Sequence, residues 1–217
     1  MRENICVGSL TASASHELQN ALAVIRESAG LMQDIFALAG DTLPRRERVT
    51  ELLATIQQQV VRGGEIAGGL NGLGHAWEED GSDLRRVLEE FVVLAGRMGR
   101  MHGIAVGLTY GDGRVRAPHA GLALRVALFD VLRSCLQYAP GCSITFAPAL
   151  RTGLAGIALR LDMPTANLEP GALAMLEKGF HNAGMNRIED AHNEGDLQQS
   201  NAKHYFMPCQ QDSCIEA

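Results

Sequence analysis

The first third of the chain repeats apolar positions with the period of an α-helix. In its first segment these residues are spaced 4, 3, 4, 3 and 4 positions apart, and they are Leu18, Leu22, Ile25, Ala29, Met32 and Phe36. At about 100° per residue they fall within roughly 40° of one line, which predicts a long helix with an apolar stripe. We expect this helix to end near Gly40, where turn residues and a proline follow.

A second helix is predicted from about 46 to 76. Its apolar face consists of Val49, Leu53, Ile56, Val60, Ala67 and Leu70. Two long helices joined by a short turn form an antiparallel hairpin. One hairpin buries such stripes poorly, so we expect two hairpins to pair as a four-helix bundle in a homodimer.

Glycines crowd the end of the second helix. They are Gly63, Gly64, Gly68, Gly69, Gly72 and Gly74. Each costs about 1 kcal/mol relative to Ala inside a helix. The sequence therefore leaves two alternatives: tight packing at a dimer axis, or a helix that ends near Gly68.

After a polar linker at 78–82, helical and strand-like segments alternate. The predicted helices cover 83–101, 119–138, 170–179 and 182–193. The predicted strands cover 104–110, 114–117, 143–150, 154–163 and 203–207. This mixture predicts an α+β fold with helices on one side of a sheet. The expected organisation is a helical hairpin over 1–77, an α/β domain over 78–208 and a tail over 209–217.

Composition and charge disfavour several classes of binding partner. The formal net charge of -6 disfavours nucleic acid. No apolar run approaches the roughly 20 residues that span a bilayer, and the N-terminus lacks a signal-peptide pattern, so we expect a cytoplasmic protein that binds no membrane. The cysteines form no CxxC pair and no zinc-finger spacing, which predicts reduced thiols and no metal site.

Candidate chemistry lies on the first helix. Relative to the apolar stripe, His16 and Asn20 each lie about 160° away, so both are predicted to face solvent one turn apart. A neutral imidazole Nε2 can attack phosphorus, while the adjacent Glu17 fixes the tautomer or accepts the proton. Asn20 can orient a water or a phosphoryl oxygen. For an isolated His-Glu pair, the alternative is an ordinary solvated helix face.

The wider pattern Ser-His-Glu-Leu-x-Asn-x-Leu-Ala-x-Ile at 15–25 resembles the H-box of two-component histidine kinases. Ala21 stands where that family usually has proline. The second helix looks like the partner helix of their dimerization and histidine-phosphotransfer domain. This resemblance implies that His16 is the phosphorylated residue and Glu17 the acid/base residue. It also places Asn20 at the position used in dephosphorylating a partner.

The second region resembles the ATP-binding domain of the same family in weakened form. Residues 83–88 look like its first segment, and 128–140 are similar to its N-box helix. Where that helix offers asparagines to Mg²⁺ and phosphate, this chain has Asp130 and Ser134. The glycine-rich boxes are reduced to Asp162 in one and Gly184 in the other, so the backbone loses its close approach to a nucleotide. The resemblance implies a degenerate ATPase-like domain that uses no ATP.

The favoured function is a histidine phosphotransferase of a bacterial two-component phosphorelay. His16 would accept phosphate from one response-regulator receiver domain and pass it to another. The receiver would supply Mg²⁺, so no intrinsic cofactor is expected. The alternatives are a kinase-like regulator or phosphatase that uses Asn20 against a phosphorylated receiver, and a non-catalytic dimeric scaffold.

Overall fold

A computed structural model describes residues 1–39, 46–76, 81–110, 115–117, 121–151, 153–163, 170–188 and 202–209. The helices are α1 (Arg2–Ala39), α2 (Arg46–His75), α3 (Leu84–Met101), α4 (Gly121–Tyr138) and α5 (Pro170–Asn182). The strands are β1 (Ser82–Asp83), β2 (Ala105–Leu108), β3 (Arg116–Ala117), β4 (Ser143–Arg151), β5 (Leu154–Asp162), β6 (Asn186–Arg187) and β7 (Ala202–Pro208). Within these ranges the structure confirms an α+β fold.

Helices α1 and α2 pack against each other as the predicted hairpin. The turn predicted at 41–44 lies outside the described residues. Asp83 then starts α3 as its N-cap, because its carboxylate accepts a hydrogen bond from the backbone N–H of Arg85 at 3.0 Å. The expected long helices therefore form, and α3 follows closely after the hairpin.

The main sheet has the strand order β2-β4-β5-β7-β6, with β2 and β4 parallel and the other pairs antiparallel. Alternate residues of β4 and β5 are buried, and the large apolar ones among them are Ile144, Phe146, Ile157, Leu159 and Leu161. This period of two is typical of a sheet with one covered face. Phe91 of α3 meets Phe146 edge to face at 5.9 Å, and Phe180 of α5 meets Tyr205 at 4.8 Å. Helices therefore cover one side of the sheet, as predicted.

The predicted helix over 182–193 is wrong in its described part. Helix α5 continues to Asn182, and Gly184 follows with a φ of 82°. Glycine in this left-handed conformation ends a helix, and here the N–H of Met185 reaches back to the carbonyl of Phe180 at 2.9 Å. The chain then forms β6, which pairs with β7. Residues 189–193 lie outside the described residues.

Helix α1 buries a different line from its predicted stripe. Leu22 is 63% exposed and Phe36 is 49% exposed. The buried positions are Cys6, Leu10, Ser13, Ala14, Glu17, Ala21 and Ser28. They lie on a face about 90° from the stripe, where α3 and α4 pack. Within the single chain, part of the predicted stripe therefore remains open.

Two of the glycines near the end of α2 lie where this helix contacts α3. The helix runs on to His75, so it does not end near Gly68. A Cβ added at Gly69 would lie 3.2 Å from Leu94 Cδ2, and one added at Gly72 would overlap the Glu90 carboxylate. These two glycines let α2 and α3 approach closely. By contrast, a Cβ at Gly64, Gly68 or Gly74 would meet nothing within 4 Å.

Two alanine substitutions are expected to have opposite effects on stability. Gly72→Ala should destabilise the fold by about 1–3 kcal/mol, because the new methyl group displaces Glu90. Gly68→Ala is the matched control and should stabilise it by about 0.5–1 kcal/mol through helix propensity alone. Urea unfolding followed by circular dichroism measures both, and equal effects would contradict the α2–α3 packing.

Candidate functional site

His16 and Asn20 are both exposed on α1. They are four residues apart, so they occupy the same face of the helix on successive turns. This is the arrangement that the sequence predicts. An imidazole and an amide are thus presented together to any molecule that approaches this face.

Glu17 is buried, with its side chain 7% exposed. Its Oε1 accepts a hydrogen bond from Arg100 Nη2 of α3 at 2.5 Å. The same oxygen forms an ion pair with Arg62 of α2. A buried carboxylate needs such partners, since removing an unpaired charge from water is costly. Glu17 therefore ties α1 to both α2 and α3.

The position of Glu17 affects the acid/base role expected for it. Side chains at consecutive helix positions do not face each other. The carboxylate points inward to its two arginines, while the imidazole of His16 points outward. To act on Nδ1, Glu17 would have to leave both guanidinium groups. Its role in proton transfer stays a prediction that requires this rearrangement.

A cleft opens where α1, α2 and α3 meet. It has a volume of about 650 Å³ and is lined by Glu17, Arg62 and Arg100. The side chains of Gln58 and Glu65 add further polar groups to its wall. The charged cluster therefore lies at an accessible surface.

The two N-box positions on α4 are engaged within the chain. Asp130 Oδ2 accepts a hydrogen bond from Arg2 Nε of α1 at 2.9 Å, and its side chain is 11% exposed. The hydroxyl of Ser134 donates to the carbonyl of Asp130 at 2.9 Å. A Cβ added at Gly179 of α5 would overlap that hydroxyl. The first turn of α1 and the last turn of α5 therefore cover the groups that stand at these positions.

The remnants of the glycine boxes are also occupied. Asp162, at the end of β5, accepts a hydrogen bond from Arg160 Nη2 at 2.9 Å. Gly184 ends α5 rather than beginning a helix, as described above. Residues 164–166 of the first box lie outside the described residues.

Sequence reasoning missed the two arginines that hold Glu17. They come from other helices, 45 and 83 positions further along the chain. One signal was available: Glu17 continues the helical line of Cys6, Leu10, Ala14 and Ala21. An acidic residue among small and apolar ones on such a face predicts burial beside a cation.

Other reactive groups contribute little to this site. Burial raises the pKa of the Cys6 thiol to about 12, so it is protonated at neutral pH. Among the described residues, no group of three His, Cys, Asp or Glu side chains could hold a metal ion. None of the described helices has an apolar stretch that could span a bilayer.

The sequence matches no protein-family model and no curated protein. Solved structures do match. A bacterial phosphotransferase is 12% identical, with a TM-score of 0.41, and the match covers 93% of this chain and 94% of that one. The chain is also similar to histidine kinases. AdeS of Acinetobacter baumannii is 11% identical (TM-score 0.39, 91% of this chain and 98% of that one). A histidine kinase from Burkholderia phymatum is 14% identical with the same TM-score and the same coverage. Because these values are low, the proposal below rests on the residues of this chain.

Proposed function

We propose that this chain is a histidine phosphotransferase of a bacterial phosphorelay, with His16 as the residue that carries the phosphoryl group. The observation that carries the proposal is the exposed His16 and Asn20 on one face of α1, next to a carboxylate neutralised by two arginines. An exposed imidazole on a rigid helix can be presented in line to a phosphoryl group. The H-box pattern around it favours this chemistry over a solvated helix face.

In the proposed reaction, Nε2 of neutral His16 attacks the phosphorus of an aspartyl phosphate on a receiver domain. The N–P bond forms while the P–O bond to the aspartate breaks, and its electron pair returns to the carboxylate. The imidazolium then loses its Nδ1 proton to solvent. The receiver supplies Mg²⁺ for the charge on the phosphoryl oxygens. Transfer to a second receiver reverses these steps.

The N-box positions favour a phosphotransferase over an autokinase. A hard cation requires oxygen ligands that are free to coordinate it. Asp130 is bound by Arg2, and Ser134 is bonded within α4 and covered by Gly179. A nucleotide-bound Mg²⁺ would have to displace these contacts.

We therefore expect no ATP binding at physiological concentration. Calorimetric titration of the full chain with Mg-ATP checks this, and the dissociation constant should exceed about 1 mM, which corresponds to roughly 4 kcal/mol. Tighter binding would support the autokinase instead.

The proposal is tested with receiver domains of the organism that encodes the chain. Each receiver is labelled on its aspartate and mixed with the protein, and the label is followed with time on both partners. We expect the label to appear on the chain and then on a second receiver. A chain that takes no label and speeds no receiver's dephosphorylation would leave the scaffold as the better function.

A phosphatase is the second candidate, because exposed Asn20 lies one turn from His16. An amide there could orient a water against a receiver's phosphoryl group. Asn20→Ala should then slow loss of label to water without slowing transfer to His16, and Gln19→Ala, also exposed, should change neither.

A homodimer is expected as part of the same proposal. Leu22 and Val60 are 63% and 58% exposed in the single chain, although they lie on the predicted apolar faces of long helices. Contact between two hairpins would remove these side chains from water. Leu22→Asp should dissociate the dimer, because it places an unpaired carboxylate in that contact.

Light scattering at micromolar concentration gives the oligomeric state. Gln19→Asp, at an exposed polar position of the same helix, is the control and should remain dimeric. A monomeric wild-type chain would contradict the four-helix arrangement.

A further inference from the structure

Two arginines from different parts of the fold converge on the carboxylate that directly follows His16. Arg62 belongs to the hairpin and Arg100 to α3, and both bind Oε1 of Glu17. One guanidinium would neutralise one carboxylate. The second leaves these three side chains with one net positive charge, and Glu65 lines the wall of the same cleft.

The arginines differ from Glu17 in exposure. The Glu17 side chain is 7% exposed, whereas those of Arg62 and Arg100 are 45% and 59% exposed. The carboxylate is fixed, but each guanidinium borders solvent and can take a second partner. Arginine is suited to this, because its donors bind carboxylate and phosphate oxygens in the same planar geometry.

The helices that pack around α1 show from which side each arginine approaches Glu17. Leu18 faces α2, since a Cβ at Gly63 would lie 3.8 Å from its Cδ2. Cys6 faces α4, where its thiol lies 3.7 Å from the carbonyl of Arg125. At about 100° per residue, His16 lies roughly 160° from Leu18 but only about 80° from Cys6. His16 is therefore nearer to the side of α1 that packs against α3 and α4 than to the side that packs against α2.

Glu17 lies between these two sides, about 100° from both His16 and Leu18. Arg62 reaches it from α2, and Arg100 reaches it from α3. Around α1, α3 therefore lies nearer to His16 than α2 does, and the 59% exposed side chain of its arginine is the one that can turn towards a group carried on the His16 ring. That arginine is Arg100.

We propose that Arg100 is a phosphoryl-binding residue of this site: it donates hydrogen bonds to the phosphoryl oxygens carried on His16, while Arg62 keeps Glu17 neutralised. The inference rests on the proposed function and deepens it. No bond is made or broken by Arg100, which stabilises the charge of the phosphoryl dianion. The α/β region would then contribute directly to the phosphorylated site, beyond supporting the hairpin.

The test uses chemical phosphorylation, so it needs no receiver. The full chain is treated with potassium phosphoramidate, which transfers its phosphoryl group to exposed imidazoles with release of ammonia. The ³¹P resonance that is missing in His16→Gln identifies the group on His16, and its chemical shift is followed with pH. A nearby guanidinium favours the dianion and therefore lowers the midpoint of this titration.

Arg100→Ala should raise the titration midpoint by roughly 0.7 pH unit, the effect of one unit charge about 4 Å away in water. Arg62→Ala removes the arginine on the far side of Glu17 and should raise the midpoint by less than half as much, whereas Arg100→Lys should keep most of the wild-type value. A merely structural role for Arg100 would not shift this midpoint. Unchanged thermal unfolding shows that the variants are folded.

Three results would overturn the inference: an Arg100→Ala midpoint equal to wild type, an equal shift in Arg62→Ala, or no resonance that depends on His16. The proposed function is judged separately by label transfer from receivers. Its failure together with the Arg100 shift would leave a phosphoryl-binding site whose natural donor is not a receiver.

Discussion

Replacing His16 with Gln is expected to abolish phosphoryl uptake from a labelled receiver, by more than about a thousandfold in rate. Glutamine has no nitrogen that can form the N–P bond. The side chain is exposed and makes no contact on which the core depends, so the variant should keep the wild-type fold and oligomeric state. Rapid mixing with a labelled receiver, followed by separation of the two proteins, gives the rate.

His102→Gln is the matched control. This histidine is also exposed, but its Nδ1 lies 3.0 Å from the carbonyl of Met98, at the end of α3. Its replacement should leave uptake unchanged within about twofold. Equal loss in both variants would show that a general change in the surface, and not a single nucleophile, causes the effect.

Glu90→Ala, which removes the carboxylate of Glu90, is expected to cause the largest decrease in the free energy of unfolding. Arg125 is 1% exposed, and its Nη2 donates to Glu90 Oε2 at 2.5 Å. Taking away the counter-charge of a buried ion costs about 3–5 kcal/mol, a large share of the 5–15 kcal/mol that stabilises a typical domain. Glu90 also contacts Gly72 of α2, so its loss should loosen the hairpin against α3.

Urea unfolding at fixed protein concentration measures this loss. Glu89→Ala is the control on the same helix, because the Arg85–Glu89 pair is about half exposed and water screens such pairs, so that they contribute little to stability. Comparable losses in the two variants would contradict the view that the Glu90–Arg125 pair holds α3 against α4.

Secondary structure and layer order could be predicted because the local spacing of apolar residues determines them. Strands β4 and β5 differ from their predicted bounds by at most one residue, since alternating apolar positions and a short turn determine both. The helix predicted over 182–193 was the exception. Gly184 reads equally well as a helix start or a helix end, and only its left-handed φ decides between them.

Partners between elements were harder to predict. The stripe of Leu18 and Leu22 indicates that α1 is a helix, but a second line through Cys6 and Leu10 is the one that is fully buried within the chain. Likewise, Gly69 and Gly72 make sense only once α3 lies against them. Periodicity identifies an element's own faces and carries no information about which distant residues cover them.

The candidate site shows the same division. The exposure of His16 and Asn20 follows from helical spacing alone. The burial of Glu17 depends on Arg62 and Arg100, which reach it only through the tertiary fold. The sequence therefore indicates the nucleophile, and the structure indicates the charges around it.

The most direct test of the phosphotransferase is to locate the phosphoryl group on the chain after mixing with a phosphorylated receiver. Phosphohistidine is labile to acid, so the sample is kept alkaline, digested and sequenced by mass spectrometry. We predict a single phosphorylated site, at His16 of α1. A phosphoryl group on any other residue, or on none with every receiver tried, would contradict the assignment.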